Sequence, residues 1–167
     1  MHNAVQVIAY DKSFDFKDFD CGEPILNKYL TNYAPQDIKR YLASVFLGIN
    51  HKTKRVIGYY TLSSNLIDIS ELETEYTKKL PNYPYLPAIL IGRLAIDKDC
   101  QGQKLGEYLL LDALHKSFKS EIAAFAVIVE AKNEQAVNFY KSYGFTHFID
   151  NSNKLFLPMN TIAKLFI

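Results

Sequence analysis

The sequence predicts an α+β fold, helices layered on one mixed sheet, and three stretches carry that prediction. Residues 43–49 and 56–62 are apolar segments flanking the polar turn 50–55, the pattern of an antiparallel hairpin. An apolar run, 88–97, feeds the turn 101–106 and then a leucine-rich helical stretch that reaches Phe118. A continuous apolar segment, 124–129, leads through Asn133 into a second helical stretch, 134–143. Hairpins joined to β-α-β connections in one chain make a layered domain with a sheet of six or seven strands.

Taken in order, residues 5–8 alternate as a short strand, and Asp20 or Gly22 is placed to cap a helix over 24–33 with Pro24 in its first turn. Residues 35–41 form a second short helix. After the hairpin, 70–79 is charged, and Pro81, Pro84 and Pro87 hold the backbone extended before the central strand. The helix over 103–118 places Leu110, Leu114 and Phe118 four residues apart, with Leu109 and Ala113 beside them, so one face is buried. Residues 124–129 have the unbroken apolar character of a strand covered on both faces. In the helix over 134–143, Ala136, Val137, Phe139, Tyr140 and Tyr143 share one broad face, and Gly144 follows as the terminating glycine. Phe145 and a strand at 154–157 complete the sheet.

Composition bounds the rest. A chain of 167 residues, 49% hydrophobic, suffices for one domain, 1–167, around a single core. Its 19 basic and 18 acidic residues leave a formal charge of +1, so any surface for a polyanion is local. The basic clusters are Lys39 with Arg40, then Lys52, Lys54 and Arg55, then Lys78 and Lys79. Two cysteines, Cys21 and Cys100, no signal-like N-terminus and no apolar run of membrane length indicate a soluble cytoplasmic protein. His2, His51, His115 and His147 lack ligand spacing with each other or with the cysteines, so no metal is assigned.

A strand, a glycine-containing loop and a helix in series can bind an anion. The first helical turn leaves about four N–H groups without partners, and the macrodipole places partial positive charge there. Gly102 and Gly106 let a phosphate approach those donors. A plain connecting turn has the same appearance, and the neighbouring motifs decide between the two readings.

The turn Gln101-Gly102-Gln103-Lys104-Leu105-Gly106 resembles the Gln/Arg-x-x-Gly-x-Gly/Ala loop with which GNAT N-acetyltransferases hold the pyrophosphate of acyl-CoA, with Lys104 in place of the middle glycine. The segment from Asn133 to Phe145 is similar to the helix of that family that carries an asparagine facing the cofactor and a tyrosine, here Tyr140, facing the thioester sulfur. Upstream, Phe19-Asp20-Cys21-Gly22 and the helix after it, together with Gly92-Arg93-Leu94-Ala95-Ile96-Asp97, resemble the GNAT-type toxins of bacterial toxin-antitoxin modules. The resemblance implies a GNAT fold with a mostly antiparallel sheet and splayed central strands. It implies acetyl-CoA as co-substrate, with Leu94, Ala95, Ile96, the 101–106 loop, Asn133 and Tyr140 around it. It further implies acetylation of the amino group of aminoacyl-tRNA, a ribbon-helix-helix antitoxin as partner, and a homodimer.

On that reading an uncharged amine attacks the thioester carbonyl, backbone N–H groups near Leu94 and Ile96 stabilise the oxyanion, and Tyr140 protonates the departing sulfur. An ordinary tyrosine, with a pKa of about 10, holds its proton at neutral pH. Arg93 stands in an apolar strand where an isolated guanidinium is expensive to bury, so it is paired, exposed at a bulge or used for phosphate, and contact with substrate or tRNA stands against a structural ion pair. Cys100 reads as a small buried side chain at a turn. Tyr83 and Tyr85, between prolines, are candidates for the wall of an acceptor cleft. Two other functions remain open: an amine acetyltransferase acting on small molecules or proteins without toxicity, and an acyl-CoA-binding module without turnover.

Overall fold

The computed structural model describes residues 4–167; His2 lies outside them. Seven strands stand in the order β1-β2-β3-β4-β5-β7-β6: β1 Val5–Ala9, β2 Ser44–Asn50, β3 Arg55–Asp68, β4 Tyr85–Ile96, β5 Ala126–Glu130, β6 Thr146–Phe148 and β7 Asn151–Pro158. The expected hairpin is β2–β3, antiparallel from Asn50↔Arg55 to Ser44↔Leu62 with a register shift at Gly48 and Ile49. β1 adds antiparallel to β2, and β5–β7 and β6–β7 are also antiparallel. Between β4 and β5 the pairing is parallel, from Ala88↔Ala126 to Ile91↔Val129. β4 then continues to Ile96, while β5 ends at Glu130.

The fold divides into two compact units. One comprises residues up to Ser63 together with Gly92–Ala113, the other Ser64–Ile91 with Leu114–Ile167. The first is built on Phe19, Tyr29, Leu30, Leu47, Tyr59 and Ala95, beside a smaller cluster of Val5, Ile57, Cys100 and Leu105. The second has its own core of Ile67, Leu72, Leu86, Ile128, Phe148 and Phe156. The boundaries fall inside β3, β4 and the helix α4, Leu105–Lys119.

Several helical details differ from the sequence reading. Residues 24–39 form one continuous helical run: α1 Pro24–Lys28, a π turn Tyr29–Tyr33 and α2 Ala34–Lys39. Pro35 explains the wide turn, because it brings no N–H for an i→i−4 bond, and Ala34 instead donates to the Tyr29 carbonyl. The N-cap of α1 is Glu23, with no side-chain cap, rather than Asp20 or Gly22. A short helix α3, Thr74–Thr77, occupies the charged stretch, and α5 spans Glu134–Ser142. A last helix, α6 Met159–Phe166, was not expected. It buries Ile162 fully, and Phe166 stacks on Phe118 at 5.9 Å between centroids.

Candidate functional site

In the first unit, the end of β4 is fixed by one buried carboxylate. Asp97 Oδ1 accepts the Asp99 N–H at 2.9 Å and Arg55 Nη2 at 3.0 Å, and Oδ2 accepts the Asp20 N–H at 3.2 Å. The Lys98 N–H returns to the Asp20 carbonyl at 2.8 Å, and Lys98 Nζ pairs with Asp20 Oδ2 at 3.0 Å. Asp20 Oδ1 accepts the Gly22 N–H and Asn27 Nδ2, and these donors, with Lys98, pull the Asp20 carboxyl down to about 2. Asn27 Oδ1 in turn accepts the Cys21 N–H at 2.9 Å. Phe19-Asp20-Cys21-Gly22 is thus a strut set against the end of β4. Cys100 lies buried in the turn that follows, where burial pushes its thiol pKa up.

The loop itself is tied to the same framework. Gln101 Nε2 donates to the Ile96 carbonyl at 3.1 Å and to the Cys21 carbonyl at 3.4 Å, so this side chain is spent on the protein. Gly102 and Lys104 both take positive φ, +80° and +62°. Gln103 is half-buried and Lys104 exposed. The Tyr108 N–H donates to the Lys104 carbonyl at 3.1 Å and opens α4, which leaves the N–H groups of Leu105, Gly106 and Glu107 in the first turn. On β4, Ala95 is buried, and Leu94 and Ile96 are half-buried. The Arg93 guanidinium makes no ion pair among the described residues; it lies over the Tyr29 ring at 3.7 Å, and the Tyr29 hydroxyl donates to Asp37 Oδ2 at 2.7 Å.

In the second unit, Asn133 is the N-cap of α5, its Oδ1 accepting the Ala136 N–H at 2.9 Å. The helix ends in a Schellman motif: the Phe145 N–H donates to the Tyr140 carbonyl at 3.2 Å and the Gly144 N–H to the Lys141 carbonyl at 3.0 Å. Gly144 supplies the required left-handed residue, φ +95°. The motif's usual apolar contact is here between rings, Tyr140 on Phe145 at 5.5 Å. Tyr140 is only 7% exposed, and burial pushes its pKa up to about 12. Tyr29, Tyr59 and Tyr60, the other buried tyrosines with described contacts, donate to Asp37, the Leu26 carbonyl and Asp112. The Tyr140 hydroxyl has no such protein partner among the described residues.

No cluster of three metal-ligating side chains occurs among the described residues, and no described helix is long and apolar enough to cross a membrane. Residues 87–160 match the acetyltransferase (GNAT) domain model. Over 138 residues, 78% of each chain, the sequence is 31% identical to a protein named tRNA-acetylating toxin in Mycobacterium tuberculosis. The chain belongs to the GNAT acetyltransferases. Its fold superposes on AtaT complexed with acetyl-methionyl-tRNAfMet at a TM-score of 0.89, with 33% identity, covering 98% of this chain and 99% of that one. It superposes on a tyrosine-to-phenylalanine mutant of the toxin AtaT, bound to the C-terminus of the antitoxin AtaR and acetyl-CoA, at 0.83, with 29% identity and 98% of both chains covered.

Against this GNAT framework, sequence reasoning missed Asp97 as an organiser. An acid directly after an apolar strand reads as a turn residue, and only the fold brings Asp20 and Arg55 to it. It also missed that Gln101 and Asn133 spend side-chain atoms on backbone groups of the protein, Gln101 on the Ile96 and Cys21 carbonyls and Asn133 on the Ala136 N–H. The signal was available for Asn133, since an asparagine just before a helical pattern is the usual N-cap.

Proposed function

We propose that this GNAT acetyltransferase transfers the acetyl group of acetyl-CoA to the amino group of aminoacyl-tRNA and acts as a toxin by blocking translation. The observation that carries the reading is Tyr140: a buried side chain whose hydroxyl, held protonated, has no described protein partner. The names and complexes of the relatives, a tRNA-acetylating toxin and AtaT with acetyl-methionyl-tRNA, supply the substrate class.

The residues fit acetyl-CoA in chemical terms. Two left-handed positions, Gly102 and Lys104, precede a helix of 15 residues whose first-turn N–H groups can donate to an anion, and Lys104 adds a cation. Gln101 holds the loop to β4, Gln103, Leu105 and Gly106 complete it, and Leu94, Ala95 and Ile96 present strand backbone to the pantetheine arm and the oxyanion. Asn133 fixes the start of the helix that carries Tyr140. The substrate nitrogen attacks the thioester carbon, the C–S bond breaks, and the sulfur takes the Tyr140 proton while the amine's surplus proton leaves to water. An α-amino group has a pKa of about 7.7–8.0, and esterification of the carboxyl lowers it, so a substantial fraction of the substrate is uncharged near neutrality and the reaction needs no dedicated side-chain base, or only a water chain. Arg93, with its guanidinium stacked on Tyr29, contacts the substrate or tRNA phosphate.

The same reading makes the chain a single catalytic domain, 1–167, acting in the cytoplasm as a homodimer and neutralised by a ribbon-helix-helix antitoxin. Mixing the purified protein with labelled acetyl-CoA and charged tRNA tests it. Label is expected on the aminoacyl-tRNA, and expression of the wild type is expected to arrest growth while Tyr140→Phe does not. Label on a polyamine or protein but never on tRNA would select a non-toxic amine acetyltransferase; bound acetyl-CoA with no acceptor labelled would select a binding module.

A further inference from the structure

The helix α2 ends in the same motif as α5, but with the wrong residue for it. The Leu42 N–H donates to the Asp37 carbonyl at 2.8 Å and the Tyr41 N–H to the Ile38 carbonyl at 3.1 Å, a second Schellman motif. Its left-handed position is filled by Tyr41, φ +59°, where α5 uses Gly144. A side chain with a Cβ is strained there, and an aromatic one gains nothing by packing, because Tyr41 is 95% exposed. Immediately before it stand Lys39 and Arg40, both exposed and neither in an ion pair among the described residues. The nearby acid, Asp37, accepts the Tyr29 hydroxyl at 2.7 Å. Cations at a helix C-terminus complement its dipole, which accounts for the charges but not for the ring.

We propose that Tyr41, with Lys39 and Arg40, is a nucleic-acid contact: the ring stacks on an unpaired base of the RNA substrate while the two cations meet its phosphates. A fully presented ring beside two uncommitted cations matches the recognition of single-stranded nucleic acid, in which an aromatic face carries a base and basic side chains follow the backbone. The contact rests on the aminoacyl-tRNA reading above and lies outside the residues assigned to acetyl transfer.

The decisive variant is Tyr41→Gly, because stability and function are expected to move in opposite directions. Relief of the strained φ is expected to raise Tm by about 2–4 °C. Charged tRNA is expected to bind about tenfold more weakly by filter binding, with KM rising in step. At saturating tRNA kcat is expected to be unchanged, as is the acetyl-CoA Kd. Tyr41→Phe keeps the ring and is expected to retain wild-type RNA affinity. Unchanged tRNA affinity in the stabilised Tyr41→Gly protein overturns the contact. So does loss of antitoxin binding with RNA affinity intact, which would make this a protein-docking surface. If the wild type binds tRNA without acetylating it, and Tyr41→Gly still weakens binding, the contact stands and the reaction assigned above falls. A wild type that binds no tRNA removes both.

Discussion

The carboxylate of Asp97 accepts the backbone N–H of Asp20 at 3.2 Å across 77 positions of sequence, and this bond joins the first loop of the chain to the end of the central strand. Through it the Cys21 carbonyl comes within reach of Gln101, so the conformation of the glycine loop depends on a segment eighty residues upstream.

Asp97→Ala is therefore expected to cost about 1–3 kcal/mol in urea unfolding, because it removes a buried carboxylate and orphans the part-buried N–H groups of Asp20 and Asp99. The ion pair contributes little of this, since the Arg55 side chain is 43% exposed. Arg55→Ala should accordingly cost under about 1 kcal/mol. Equal losses from the two variants would contradict the assignment of Asp97 as a backbone anchor.

A second constraint on the same strand is steric. A Cβ at Gly58 would meet the Ala95 carbonyl oxygen at 2.7 Å and Ile96 Cδ1 at 2.8 Å, so a larger residue forces β3 and β4 backbone to move at this point. Gly58→Ala is expected to destabilise by about 2–3 kcal/mol, the upper part of the range of about 1–3 kcal/mol for overpacked cores. It should also reduce acetyl transfer, because the displaced segment is the one assigned to the oxyanion. Wild-type turnover in a destabilised Gly58→Ala protein would separate that segment from the chemistry.

The elements were legible wherever periodicity was strong: β2, β4, α4, β5 and α5 stand within a few residues of their expected bounds, while β3 begins as expected but runs past Leu62 to Asp68. What escaped was set by distant partners. The π turn follows from Pro35 meeting a helix already under way, and α6 is a helix of eight residues, too short for its pattern to speak, held by Ile162 and Phe166. At the candidate site the residue types were readable, but what their side chains bond was not. Arg93 was expected to contact substrate or to form an ion pair, and the structure gives it a ring. Gln101 turned out to be a tether because Cys21 is brought to it by the Asp20–Asp97 bond, which no local pattern announces.

Lys104 makes a separable prediction, since its backbone and its charge act in different ways. Its φ of +62° explains why a glycine suits this position in the GNAT loop pattern. A left-handed L-residue costs roughly 1–2 kcal/mol, and the extra freedom of glycine in the unfolded chain returns roughly 0.4–1, so Lys104→Gly should stabilise by about 0.5–1 kcal/mol. The ammonium works in the other direction. Lys104→Met keeps the strain and removes the charge, so its acetyl-CoA affinity should fall about threefold at low salt and approach wild type near 1 M salt. Calorimetry at two ionic strengths checks this, and a deficit that persists at high salt would show that Lys104 acts through loop shape rather than charge.

The pH dependence follows from Tyr140. Burial pushes its pKa up to about 12, so the acid form is almost fully populated from neutrality to about pH 10. The group that titrates in that range is the substrate amine, which must be uncharged to attack. With a pKa of about 7.7–8.0 for an α-amino group, lower when the carboxyl is esterified, kcat/KM should rise with pH through that value and then stay level to about pH 10. Removing the donor is expected to lower the rate by about 10²–10⁴ without moving the acid limb, because that limb belongs to the substrate. A pH–rate profile of the wild type beside Tyr140→Phe checks both statements. A descending limb between pH 8 and 10 in the wild type, absent from the variant, would mean that the tyrosine titrates near its ordinary value and that burial does not hold its proton.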